Sequence, residues 1–165
     1  MRGLIVLVCC LLAQAAQANG FALHDLTPVV ERARTALGSQ SSASVDAQRL
    51  SLDCPSCQGA PVVDLQLGRL SDGTEMRVRS GQTTLAALEA LCVARNPDCR
   101  LSGLPLSTAV GWITVYTLGQ SAGSTAVILR DGDLLTIHAK ANSRGAAEDA
   151  VRALTQTIVP QIVGP

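Results

Sequence analysis

The chain has 165 residues, with thirteen Lys plus Arg against thirteen Asp plus Glu and only one Phe, one Trp and one Tyr. A neutral chain offers no electrostatic footprint for nucleic acid or an acidic membrane surface, and Phe21, Trp112 and Tyr116 are too few to build a stacking platform for bases or sugars. Composition therefore argues against nucleic-acid and carbohydrate binding.

The N-terminus places Arg2 before an apolar run from Leu4 to Ala13 and then the small-residue box Ala16-Gln17-Ala18, the order of a secretory signal cut after Ala18. The run falls short of the about 20 apolar residues that a bilayer span needs, so no stable membrane insertion is expected after cleavage. Cys9 and Cys10 lie inside the run rather than behind a lipid-attachment box, and residues 1–18 take them away. About 147 residues then remain, enough for one hydrophobic core and short for two.

Residues 19–46 read as a helix and a linker. Thr27 is placed to cap the first turn, Pro28 has no N–H to waste at the first helical position, and Gly38 marks the stop, which predicts a helix from Pro28 to Leu37. Ser39-Gln40-Ser41-Ser42-Ala43-Ser44 has no apolar period and reads as a flexible linker. The core domain, residues 47–165, follows.

In its first half Val63, Leu65 and Leu67 alternate with polar neighbours, and after Ser71-Asp72-Gly73-Thr74 the alternation resumes at Met76 and Val78, which predicts a β-hairpin with one wet face. Thr83 and Thr84 open a helix carrying Leu85, Leu88, Leu91 and Cys92, stopped by Asn96-Pro97. In the second half Trp112–Leu118 is a strand, Asp131-Gly132 joins strands over 125–130 and 134–140 as a tight hairpin, and Ser143 opens a helix with Ala147, Val151, Leu154, Ile158 and Ile162 on one face. The Asp-Gly pair precedes the helix cap by a similar distance in both halves. An internal duplication of a strand-hairpin-helix unit explains that; so does the commonness of Asp-Gly turns. The expected fold is α+β, an antiparallel sheet with two helices on one face and a short N-terminal helix.

Four cysteines stay in the mature chain: Cys54, Cys57, Cys92 and Cys99. Two disulfides are the first reading, because an exported chain meets oxidants. In the chain-entropy model a Cys92–Cys99 bridge, closing eight residues, is worth about 2.5 kcal/mol, and a bridge between the two pairs, closing about forty, about 4 kcal/mol; spacing does not choose among the three connectivities. A second reading takes Cys54 and Cys57 as an exchanging dithiol, although Gln58-Gly59-Ala60-Pro61 begins no helix to stabilise a thiolate and Asp53 disfavours one by like charge. A third gathers all four thiolates on one zinc ion, against a second pair spaced wider than zinc sites use. No cofactor motif appears; Gln58 stands where a c-type haem site needs His.

His138 alternates with Thr136 and Lys140 and is expected on the wet face. His24 has no neighbour that suggests a base or ligand and is expected in solvent. Asp64, Asp72, Glu75 and Asp98 show no paired spacing for acid-base work. Trp112 and Tyr116 share one strand face, where packing is the plainer role and a partner-binding edge the sharper one. With no nucleophile-base pair, phosphate loop or metal-spaced histidine set, the sequence leans away from an enzyme. It reads as a periplasmic or secreted accessory protein that binds a protein partner among envelope or secreted components, or assists their assembly, with thiol-disulfide exchange or metal binding at Cys54 and Cys57 as the alternative.

Overall fold

The stripe of apolar residues at helical spacing after Ser143 needs a flat apolar surface to cover, and the alternating segments of the second half supply it. In the computed structural model, which describes residues 20–165, one seven-stranded sheet forms with every neighbouring pair antiparallel, in the order β1-β2-β3-β7-β6-β5-β4. The strands are β1 (Ser42–Val45), β2 (Arg49–Asp53), β3 (Val62–Arg69), β4 (Arg100–Gly103), β5 (Val110–Leu118), β6 (Ser121–Arg130) and β7 (Asp133–Ala141). The helices are α1 (Val30–Leu37), led by a 3-10 turn at Thr27–Val29, α2 (Thr74–Arg79), α3 (Leu85–Arg95) and α4 (Arg144–Val163). The proposed signal segment lies outside the described residues. No helix among the described residues is long and apolar enough to cross a membrane.

Two meanders, β1 to β3 and β4 to β7, meet where β3 pairs with β7. Asp131 and Gly132 both take positive φ, 51° and 83°, as the two central residues of a type I′ turn must, and the β6–β7 register follows from that turn. Ser143 caps α4 by accepting the Ala146 N–H at 3.2 Å. The helix then buries Val151, Leu154, Ile158 and Ile162 completely against Leu50, Leu65, Ile113, Ile128 and Ile137 of the sheet, and Ala147 in a separate small cluster with Ala122 and Ala141. Side chains of this size contribute about 1.5–3 kcal/mol each when buried, so this layer is the main source of stability.

Four sequence expectations change. The serine-rich segment is no free linker: Ser42–Val45 pair with Leu50–Asp53 as edge strand β1, because Ser, Ala and Val alternate on a period of two and an edge needs no apolar face. Thr74–Arg79 form α2 rather than the second arm of a hairpin. Both edges of β3 are already taken by β2 and β7, and the Glu75–Arg79 ion pair at 2.9 Å, four residues apart, is a helical pairing. The two helices on one face are α1 and α4, while α3 lies across β4 and β5 from the other side. The first helix also starts differently, with Asp25 Oδ1 rather than Thr27 accepting the exposed N–H at the 3-10 turn.

Candidate functional site

The four cysteines are joined as Cys54–Cys57 and Cys92–Cys99. The longer, crossing connectivity that chain entropy favours does not form, because the sheet order sets β2 and β4 five strand spacings apart, about 24 Å. The same separation keeps a single ion from meeting all four sulfurs. Among the described residues no group of three or more His, Cys, Asp or Glu side chains is placed to hold a metal ion. Cys54 is fully buried at the end of β2. Cys57 is half-buried in the turn to β3 and lines a cavity of about 210 Å³ with Leu37, Pro61 and Asp149. No helix begins after Cys57: residues 58–61 are a turn that leads into β3 at Val62, and the first turns of α4 at Ala146 and Asp149 line the same cavity.

Cys92–Cys99 has a different task. Nine of the eleven residues of α3 are apolar, Leu-Ala-Ala-Leu-Glu-Ala-Leu-Cys-Val-Ala-Arg, yet none is buried, and Leu91 is 66% exposed. A helix this apolar normally enters a core. Here it is held from its ends. Thr84 caps it by accepting the Ala87 N–H at 3.1 Å, Glu89 accepts the Leu101 N–H at 3.3 Å, Asn96 donates to the Thr117 carbonyl at 2.8 Å, and the disulfide clips its last turn to the start of β4.

Between α3 and β5 runs a groove of about 520 Å³. Leu88, Leu101 and Trp112 wall one end, Arg95, Asn96 and Tyr116 stand at the other with exposed Leu118, and Leu91 borders the groove. The orientation follows from two contacts: Leu85 sits over Gly103, the register partner of Trp112, and Asn96 reaches Thr117 near the end of β5. Trp112 and Tyr116 therefore do share a face, with Trp112 buried and Tyr116 half-buried.

Beyond Tyr116 the open face turns polar. Thr125 Oγ1 lies 2.9 Å from His138 Nδ1, and the Tyr116 hydroxyl lies 3.1 Å from that oxygen and 3.3 Å from the same nitrogen. His138 is on this face, as alternation implied, but it is half-buried and bonded rather than free in solvent. Asp64, its register partner on β3, instead takes the Ser51 hydroxyl at 2.5 Å. The row thus brings hydroxyls to an imidazole without the carboxylate bond that would orient a general base.

No protein-family model matches the chain, and no curated protein is significantly similar to it. The functional reading therefore rests on the surfaces themselves.

The second polar cluster was not legible in the sequence. Asp133, buried beside the tight turn, accepts the Phe21 N–H, His24 Nε2–H and Arg69 Nη1–H, each at 2.8 Å. Burial works to raise its pKa, but those bonds and the charges on His24 and Arg69 outweigh it and hold the carboxyl below its ordinary value. Glu75 behaves alike: burial raises it, and Arg79 with the backbone N–H groups of Gly132 and Asp131 brings it below the usual range. Asp72 is lowered by the Thr74 backbone and side chain, and Asp98 accepts from Thr117 Oγ1 at 2.8 Å. Glu75, Asp98 and Asp133 each tie one segment to another, while Asp72 holds only the local turn into α2. Asp53 ends β2, exposed, opposite Ser42 and Val62.

Proposed function

We propose that the chain is an exported, periplasmic or secreted, non-catalytic accessory protein that binds another envelope or secreted protein through the apolar surface of α3. The observation that supports this is α3 itself: nine apolar residues in eleven, none buried, fixed in place by a disulfide. Contiguous exposed apolar surface of this kind marks interaction sites in soluble domains, and a covalent clip keeps the surface ordered when no core does. The two disulfides suit an oxidising compartment.

The test is site-specific photo-crosslinking in cells that make the full-length chain. A crosslinker at Leu91 should give a protein adduct of one defined mass that disappears with Leu85→Glu, while one at exposed Arg32 on α1 should not give it. The same adduct from position 32, or none from 91, sinks the reading.

Thiol exchange at Cys54 and Cys57 is the second reading, supported by the cavity beside Cys57. In that reaction a partner thiolate attacks one sulfur of the bridge, forms a mixed disulfide and releases the other sulfur as a thiolate. A bridge that opens at the potential of a mild dithiol, before Cys92–Cys99 does, supports this reading; a bridge that resists until the chain unfolds removes it.

A further inference from the structure

We propose that the groove between α3 and β5 binds a free single-chain amphiphile, an alkyl carboxylate, with its tail toward Trp112 and its head at Arg95. This goes beyond the protein-docking reading, which concerns a protein partner on the exposed α3 surface at Leu91, a residue that also borders the groove.

Three observations carry it. The first is size and form: about 520 Å³ falls within the roughly 300–1,000 Å³ usual for small-molecule sites. The second is polarity along the groove. Leu88, Leu101 and Trp112 line the tail end, and the hydroxyl of Thr114, between the ends, is already committed to the Thr125 carbonyl at 3.3 Å. A peptide would bring backbone N–H and C=O groups into that end and find too few partners, whereas an alkyl chain brings none. The third is charge. Among the described residues Arg95 has no ion-pair or hydrogen-bond partner, because the acids closest to it in sequence are engaged: Glu89 with the Leu101 N–H and Asp98 with Thr117 Oγ1. A guanidinium at the mouth of an apolar groove suits a carboxylate head through charge-assisted bonds.

Trp112 is the only tryptophan in the chain, so its emission reports on the groove directly. The exported protein is titrated with dodecanoate below its micelle concentration, in parallel with dodecanol, dodecylammonium and anionic phospholipid vesicles. A saturable blue shift with dodecanoate is expected, with weaker binding of dodecanol and dodecylammonium. Arg95→Ala should weaken dodecanoate about tenfold, equivalent to about 1.4 kcal/mol, and leave dodecanol unchanged. Leu88→Gln should weaken both, with circular dichroism verifying the fold; Leu101→Gln serves if the first variant does not fold. Absence of a saturable shift, equal affinity for dodecanoate and dodecylammonium, indifference to Arg95→Ala, or a response to vesicles alone would each overturn the proposal. Because the titration uses purified protein, dodecanoate binding without a crosslink at Leu91 overturns only the protein-docking reading, and the reverse result overturns only this one.

Discussion

His24 Nε2–H donates to Asp133 Oδ2 at 2.8 Å across 109 residues of sequence, with the imidazole 65% exposed and the carboxylate 3% exposed. The pair holds the start of the described chain to the β6–β7 turn. Phe21 N–H adds a second bond to the same oxygen and Gly20 N–H a bond to Asp131, while Ala22 and Leu23 bond carbonyls at the end of α4. Residues 20–26 thus form a strap that buries Phe21 and Leu26.

Asp133→Ala should release that strap. His24 and Arg69 are mostly exposed and regain water, so the loss centres on the buried Phe21 N–H and amounts to about 1–3 kcal/mol. Thermal unfolding should move down by several degrees, and hydrogen exchange at residues 21–26 should quicken before the sheet is affected. Unchanged exchange there contradicts the strap.

The same acids set the response to pH. Asp133 and Glu75 are lowered in the folded chain, so the unfolded state binds protons more readily and stability from these groups is present above the ordinary carboxylate range, about 3.9 to 4.3. It is lost as pH falls through their folded values. Denaturant midpoints should therefore decline below about pH 4, and Asp133→Asn should flatten the decline. A midpoint that rises on acidification would contradict the sign.

Replacing Cys92 and Cys99 together by alanine should free α3 more than it weakens the core. The entropic loss is about 2.5 kcal/mol, and no α3 side chain is buried to compensate. Trp112 emission should move to the red and exchange should quicken over residues 85–95, with the sheet still protected. A variant that unfolds globally with no local step would show that α3 is part of the core after all.

Gly123 lies opposite Tyr116 in the β5–β6 ladder, and a Cβ there would fall 2.5 Å from the tyrosine ring. The aromatic ring covers the strand glycine. Gly123→Ala should displace Tyr116 and break its contacts with Thr125 and His138, at a cost of about 1–3 kcal/mol. A shift of the His138 ring resonances in NMR should accompany it; a silent His138 argues against the linkage.

Leu91→Glu changes an exposed position outside the core and should alter stability by less than about 0.5 kcal/mol. Binding of a hydrophobic dye should drop nonetheless. A large destabilisation with no change in dye binding would mean that Leu91 supports the fold rather than presenting a surface.

Much of the layer architecture was present in local patterns. Alternation at Val63, Leu65 and Leu67, the Asp131-Gly132 turn, the Thr84 and Ser143 caps and the stripe from Ala147 to Ile162 each report a backbone state that neighbouring residues decide among themselves. Tertiary structure decided what depends on distant partners. Met76 and Val78 alternate like a strand, but β3 has no free edge for them; Ser42–Val45 look like a linker until β2 offers an edge. The disulfide connectivity, the bond from His24 to Asp133, and the placement of α3 outside the core all join residues by sheet order, and sheet order is set by the packing of the whole chain rather than by any window of sequence.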